Sequence, residues 1–332
     1  MKRPQWRRHA ANLMIPLCLG FGLALTSHGN AAEDPGKFPS KPITLIINFA
    51  PGSVTDLTGR KLADLAGKVL GQPIVAENKL GGAGVMGLAS VAKAAPDGYT
   101  LGTVTYSQTV IVPHLRSVPY DVKKDFSWIM DYVEMGQTFC VLGDARWKTF
   151  KEFIEEARRK PGALTYATNG PRSGQHIVME QIALAENVKL SHVPTAGGTE
   201  VVTQLLGGHV DAALAGAVGV HIRSGKVRPL AVAGQKRLEM IPNVPTFREL
   251  GYQIECPLWM GLLGPSGLDP LVLRKIHDAF KKAFDDPSFK ELLTSLVMTP
   301  DYHDPESFRN LVMTDFAAQK RILDRLGFTK TQ

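Results

Sequence analysis

The stretch from residue 43 to residue 60 constrains the fold more than any other, because its hydrophobic pattern changes from strand-like to helix-like. Ile43 to Phe49 is a run of β-branched and apolar residues, which is typical of a buried strand. Pro51 and Gly52 interrupt the run, and Ser53 is a residue type that caps helices. Apolar residues then recur with helical spacing at Leu57, Leu62 and Leu65. The pattern predicts strand, tight loop and helix, the repeating unit of an open α/β sheet.

The same pattern returns in the second half of the chain. Residues 163–168 are predicted as a strand, residues 169–176 as a polar, glycine-containing loop, and a helix begins near Gln175. Between and beyond these segments, further strands and helices alternate, which predicts an α/β protein with mainly parallel sheets flanked by helices. Two such series indicate two lobes facing one another across a cleft. We expect residues 33–136 plus 256–332 to form the first lobe and residues 137–255 the second.

Three local patterns make sharper predictions. Tyr106 to Thr109 follows a predicted strand and is expected to be a polar loop. Thr149 and Glu152 have the spacing of a capping box, which opens a helix. Asp304 with the proline that follows it starts the last helix, which stops at Gly327.

The first residues have the three-part pattern of a secretory signal peptide. Basic residues are followed by an apolar stretch from Leu13 to Leu25, and then by small residues up to Ala32. We therefore expect residues 1–32 to be removed on export. Four of the positive charges behind the formal charge of +7 lie in this leader, so the mature chain is expected to carry about +3. That charge is too small to indicate a nucleic-acid partner, and no nucleic-acid motif is present.

Two cysteines remain in the mature chain, Cys140 and Cys256. They could pair in an oxidising compartment, or each could be a separately buried thiol. The absence of a Cys-x-x-Cys pair argues against a zinc site, and we expect no metal and no cofactor. Residues 82–87 match the spacing Gly-x-Gly-x-x-Gly of a dinucleotide fingerprint. They do not follow the first strand, so we interpret these glycines as allowing a tight turn and close helix packing.

The sequence offers hydrogen-bond donors rather than a catalytic arrangement. No His-Glu-x-x-His motif, Gly-x-Ser-x-Gly elbow or phosphate-binding loop occurs. Ser173 and His176 lie close together at a helix start, so an exported hydrolase is the enzymatic alternative, although no acid is placed to orient the histidine. Hydroxyl groups and glycine-rich loops suit the binding of a carboxylate without chemical change.

Motifs along nearly the whole mature chain resemble one family, the periplasmic solute receptors of tripartite tricarboxylate transporters, also called the Bug family. The matching segments are residues 38–43, 49–52, 95–101, 119–121, 166–168, 192–194, 205–208 and 242–246, together with Asp56, Asn78, Ser173 and Trp259. The resemblance implies a monomeric, two-domain binding protein of the Venus-flytrap type in the periplasm. It also implies a small organic acid as ligand, and membrane permease subunits of a tripartite transporter as partners.

The resemblance places the ligand between the loops at residues 49–56 and 168–176. Together with hydroxyl-bearing residues and glycines of the other polar loops, this gives the predicted ligand-binding residues Phe49, Gly52, Ser53, Thr55, Asp56, Tyr106, Ser107, Thr168, Arg172, Ser173, His176, Thr195 and Gly197. The chain departs from the family pattern at three points. It has Gly52-Ser53 where the family usually has two glycines, Thr195-Ala196 where it usually has Tyr-Lys, and Arg172 where it usually has a small residue.

Arg172 leaves two interpretations open: its guanidinium binds a second carboxylate in the cleft, or it is a surface arginine without a role. The function also leaves an alternative open. A ligand-binding protein of this kind could deliver its ligand to a transporter, or its closed form could contact a signalling partner.

The leader pattern predicts that the exported protein begins near Ala32 or Glu33. Intact-mass measurement of the protein recovered from the periplasm tests this, and a recovered chain that still contains Trp6 would contradict it.

Overall fold

A computed structural model describes residues 34–328, with gaps at residues 196, 217, 255–257 and 297, and without the side chain of Ala83. Two predictions fall outside these residues, namely the leader and the pairing of Cys256, and so does Ala196 of the second departure from the family pattern. Cys140 is buried and has no disulfide partner among the described residues.

Strands and helices alternate through most of the described chain. The strands are β1 (Ile43–Ile47), β2 (Ile74–Asn78), β3 (Thr100–Thr105), β4 (Phe126–Met135), β5 (Gln137–Leu142), β6 (Thr165–Thr168), β7 (Ser191–Pro194), β8 (Ala212–Ala215), β9 (Val227–Ala233), β10 (Leu258–Pro265) and β11 (Thr299–Pro300). The helices are α1 (Val54–Leu70), α2 (Val85–Ala92), α3 (Val112–Leu115), α4 (Phe150–Arg159), α5 (Gly174–Glu186), α6 (Gly198–Leu206), α7 (Gly219–Arg223), α8 (Pro270–Asp285), α9 (Pro287–Ser295) and α10 (Pro305–Arg325).

The strands form two sheets, and one apolar cluster contains buried residues of both, among them Trp128 of β4 and Phe139 of β5. The first has the order β11-β4-β10-β3-β1-β2, and α1 and α8 pack together against it through Leu62, Ile276 and Phe280. The second has the order β7-β6-β8-β5-β9, and Phe139 of β5 and Tyr166 of β6 are fully buried. The predicted two-lobed α/β class is therefore confirmed.

The prediction of mainly parallel sheets is wrong, because both sheets are mixed. β1 runs parallel to β2 and β3, and β6 runs parallel to β7 and β8, as expected for strands joined through helices. β10 is antiparallel to β3 and β4, and β5 is antiparallel to β8 and β9. β5 and β10 are the strands at which the chain enters one sheet from the other, so neither is preceded by a strand–helix–strand unit of its own sheet. The parallel strands still gather their carboxyl ends at one edge of each sheet.

Gly136 separates β4 of the first sheet from β5 of the second. A Cβ atom at this position would lie 2.2 Å from a terminal carbon of Leu238, so any other residue here requires the Leu238 side chain to move. The return passage runs from the end of β9 to β10 and includes residues 255–257, which are not described. The exact lobe boundaries at residues 136 and 255 stay predictions.

The predicted helix cap at Thr149 is confirmed, whereas the predicted loop after β3 is wrong. Thr149 accepts a hydrogen bond from the N–H of Glu152 at 3.2 Å, which confirms the predicted cap of α4. The predicted loop at Tyr106–Thr109 is instead helical, since a π-helical turn at Ser107–Ile111 leads into α3. Thr109 Oγ1 donates to the Thr105 carbonyl at 3.1 Å, and Gln108 Oε1 accepts from the Thr105 N–H. These polar side chains bond the backbone where β3 ends, so helix can follow strand directly.

The glycines at residues 82–87 have the structural role that we expected. Gly84 caps α2 with φ of 87°, and a Cβ atom there would lie 1.7 Å from Gln108 Nε2. A Cβ atom at Gly87 would lie 2.7 Å from that of Asn48. The turn therefore packs directly on the polar residues at the ends of β1 and β3.

Gly84→Ala is expected to destabilise the protein more than Gly71→Ala. Both glycines have left-handed φ, which costs an alanine about 1–2 kcal/mol. Nothing lies within 4 Å of a Cβ atom at Gly71, whereas at Gly84 it would displace the buried Gln108 from two hydrogen bonds. Overpacking of this kind adds about 1–3 kcal/mol. Chemical denaturation of the two variants measures the difference, and equal losses of stability would contradict the packing role.

Candidate functional site

The loop after β1 is a tight turn that feeds a capped helix. The Ser53 N–H donates to the Ala50 carbonyl at 3.1 Å, and Gly52 between them has φ of 78°, as in a type II turn. Ser53 Oγ then accepts from the Asp56 N–H at 3.2 Å, which caps α1. The N–H groups of Val54 and Thr55 have no acceptor within the helix.

The loop after β6 repeats this geometry. The Ser173 N–H donates to the Gly170 carbonyl at 3.2 Å, Arg172 has φ of 61°, and Ser173 Oγ accepts from the His176 N–H at 3.2 Å. The φ and ψ angles of Ser173, −66° and 162°, match those of Ser53, −67° and 159°. Residues 50–56 and 170–176 share only a proline and the capping serine, yet they build the same turn. Each lobe thus presents the start of a helix at the carboxyl edge of its sheet, where free N–H groups and the helix dipole attract an anion.

Asp56 holds the first loop together. Its Oδ2 accepts from the Gly52 N–H at 2.9 Å, and its Oδ1 accepts from Arg60 Nε and Asn78 Nδ2, both at 2.8 Å. Burial raises the pKa of this carboxyl, but the hydrogen bonds from Asn78, Gly52 and Arg60 outweigh burial and keep the pKa below its usual value. The first loop therefore contains an ionised carboxylate whose oxygens are already occupied.

His176 takes the corresponding place in the second loop. Its Nδ1 accepts from the Arg172 N–H at 2.9 Å, so a neutral ring carries its proton on Nε2, which lies 3.5 Å from Glu180 Oε1. The ring stacks on His192 at a centroid distance of 4.0 Å. Burial and the neighbouring His176 lower the pKa of His192 to about 4, which makes it neutral near pH 7. Compared with the first loop, the second has no carboxylate at this position and is the better place for an anion.

The structure gathers the predicted residues of the second lobe around Thr168. Thr168 Oγ1 lies 2.7 Å from His192 Nε2 and accepts from Ser173 Oγ at 3.4 Å. Thr195 Oγ1 donates to the Thr168 carbonyl at 3.1 Å, because β7 pairs with β6. Gly197 follows as the residue before α6. The hydrogen bonds of Thr168, Ser173 and Thr195 thus stabilise the loop at residues 168–176. Contact between these residues and a ligand stays a prediction.

The predicted residues of the first lobe lie at different depths. The Phe49 carbonyl accepts from Asn78 Nδ2 at 2.9 Å, and Thr55 Oγ1 donates to Met260 Sδ at 3.3 Å. Tyr106 is buried, donates to Gln319 Oε1 at 3.1 Å and packs against Trp259, while Ser107 at the start of the π-helical turn is half-buried. Among the described residues no hydrogen bond joins the loop at 49–56 to the loop at 168–176.

Sequence reasoning missed Glu180 and Phe328. Glu180 lies one turn after His176 on α5, a spacing that could have indicated the pair. The Phe328 ring stacks on His176 at 5.9 Å and lies 5.7 Å from the Arg172 guanidinium carbon. No sequence pattern connects a residue after the last helix to this loop.

Asp131, Asp301 and His303 place three potential metal-binding atoms within 4.8 Å of one another in the described part of the chain. Both oxygens of Asp131 already bond His303, one through the backbone N–H and one through Nδ1 at 2.8 Å. The oxygens of Asp131 are thus already hydrogen-bonded to His303, and the absence of a metal cofactor stays a prediction. No helix in the described residues is long and apolar enough to cross a membrane.

Comparison with known proteins extends the resemblance over most of the chain. The profile of the tripartite tricarboxylate transporter family receptor matches residues 58–328. The UPF0065 protein in the gbd 5′ region of Cupriavidus necator is 38% identical over 303 residues, which cover 91% of this chain and 92% of that protein. Protein BugT of Bordetella pertussis is 30% identical over 320 residues, which cover 95% of this chain and 98% of BugT.

A solved structure gives the same result for the fold. MatC from Rhodopseudomonas palustris with bound malate is 27% identical, has a TM-score of 0.73, and the match covers 86% of this chain and all of that chain. The family profile runs through both sheets and includes the second serine-capped loop. The chain therefore belongs to the receptor family of the tripartite tricarboxylate transporters.

Proposed function

We propose that this protein is an exported receptor that captures a small organic carboxylate between its two lobes. It delivers the ligand to the membrane permease subunits of a tripartite tricarboxylate-type transporter. The observation that carries the proposal is the pair of matching helix starts, one at the carboxyl edge of each sheet. MatC, a relative of similar fold, has malate bound, which supports the ligand class. The leader at residues 1–32 supports export to the periplasm.

The loops before α1 and α5 differ in charge, so they bind different groups of the ligand. The α5 start has free N–H groups and no carboxylate in its first turn, so it binds the ligand carboxylate. The α1 start has Asp56 beside it, which disfavours a second anion there, so its N–H groups bind neutral oxygens of the ligand or of water. A ligand bonded to both loops favours the closed arrangement of the lobes.

The hydrolase alternative depends on Ser173 and His176 acting as nucleophile and base, and the geometry of these two residues argues against it. The His176 ring bonds the Arg172 N–H on one nitrogen and faces Glu180 with the other. Ser173 Oγ accepts from the backbone N–H of His176 and is not hydrogen-bonded to its ring in the described structure. A serine nucleophile needs a base within hydrogen-bond reach, so we propose binding without turnover.

Ser173→Asp is expected to weaken carboxylate binding without unfolding the protein. Aspartate caps helices as well as serine does, but its charge repels an anion at the α5 start. Calorimetric titration with a panel of mono- and dicarboxylates should show a loss of about tenfold or more in affinity. Thr149→Asp makes the same change at the cap of α4, away from both loops, and should bind normally. Equal effects of the two variants, or chemically altered ligand recovered after long incubation, would contradict the proposal.

Ligand is also expected to close the lobes. Small-angle scattering of the wild-type protein should give a smaller radius of gyration at saturating ligand than without ligand. Ser173→Asp is the control: at a ligand concentration that calorimetry shows to saturate the wild-type protein but not the variant, it should keep a larger radius than the wild-type protein. A radius unchanged by ligand, at a concentration shown by calorimetry to saturate the protein, would argue against closure.

A further inference from the structure

Arg172 occupies a backbone position that normally suits glycine. Its φ of 61° lies in the left-handed region, and the corresponding residue of the first loop is Gly52 with φ of 78°. A Cβ atom at Gly52 would have nothing within 4 Å, so this position in the turn has room for a side chain. A non-glycine residue here costs conformational free energy. The second loop thus keeps an arginine where glycine would be more stable.

The charge of Arg172 adds a second local cost. The guanidinium group is attached two residues before α5, where the positive end of the helix dipole already lies. Within the described residues, neither a carboxylate nor a hydrogen-bond acceptor pairs with this guanidinium group. Since a guanidinium stays charged and carries several N–H donors, it is available to an anionic ligand.

Phe328 shows where the guanidinium group lies. α10 packs on the segment after β3, where Tyr106 donates to Gln319 and His114 Nε2 bonds the Phe316 carbonyl at 2.9 Å. The same helix carries the chain on to Phe328, whose ring contacts both Arg172 and His176. One helix therefore bridges the carboxyl edge of the first sheet and the ligand loop of the second. Arg172 lies at the junction of the two lobes, rather than on an outer face.

We propose that Arg172 makes this receptor selective for dicarboxylates. The N–H groups at the start of α5 bind one carboxylate, and the planar fork of the guanidinium group binds the other through two parallel hydrogen bonds. This inference rests on the proposed function and names its substrate class. It also explains why a left-handed backbone and a positive charge near the α5 start coincide at Arg172, since strained residues persist where they act on a ligand.

The test compares acids that differ by one carboxylate, namely succinate with butanoate and adipate with hexanoate. Wild-type protein should bind at least one diacid more tightly than its monoacid partner. Arg172→Gly should weaken that diacid by about ten- to a hundredfold and change its monoacid by less than about twofold. Arg172→Lys keeps the charge but loses the fork, so its affinity should lie between those of wild type and Arg172→Gly.

The unfolding temperature tests whether Arg172 has only a structural role. Arg172→Gly removes the left-handed strain, so its unfolding temperature without ligand should equal or exceed that of wild type. Asn187→Gly relieves the same kind of strain at the far end of α5, where φ is 50°, and should leave both affinities unchanged.

The outcomes separate this inference from the proposed function. Equal weakening of diacid and monoacid, or no change in either, would overturn the role of Arg172. Wild-type protein that binds a monoacid as tightly as its diacid would also overturn it, while leaving carboxylate binding intact. Failure of wild-type protein to bind any carboxylate would overturn the proposed function, and the inference with it.

Discussion

The unpaired backbone N–H groups at the starts of α1 and α5 are the constraint on which the rest of the structure depends. A helix always leaves such groups at its first turn, and they need a cap, water or a ligand. Ser53 and Ser173 each bind one of them, and the turn before each serine fixes the direction in which the others point. Buried polar residues behind the turns, such as Asp56 and Thr168, keep that direction constant. Both sheets can be understood as platforms that hold two helix starts at their carboxyl edges.

Much of this arrangement could be predicted from the sequence, because the signals are local. β1, the break at Pro51 and the capping role of Ser53 are encoded within a few consecutive residues. The same holds for Thr149 at α4 and for Asp304 at α10, where the capping side chain and the N–H that it binds lie three residues apart. Interactions of this range depend little on the rest of the fold.

Features that depend on distant residues could not be predicted in the same way. The polar segment after Tyr106 was expected to be a loop, but it is a helical turn, and the Tyr106 before it bonds Gln319 and packs on Trp259. The antiparallel position of β10 depends on where the chain returns after the second lobe, which no local pattern records. Phe328 reaches His176 from outside the segment that any motif covers. Each of these contacts joins residues more than a hundred positions apart.

The difference between Asp56 and His176 has a consequence for the direction in which a ligand lies. The two loops match in backbone geometry, but a carboxylate stands in the first turn of α1 and an imidazole in the first turn of α5. In the site that we propose, a molecule with one acidic and one neutral end would therefore enter in a single orientation, with its acidic end at α5. Turning it end for end would bring two negative charges together at α1. Sites of this kind distinguish not only which groups a solute carries but also their order along its carbon chain, and hence one positional isomer from another.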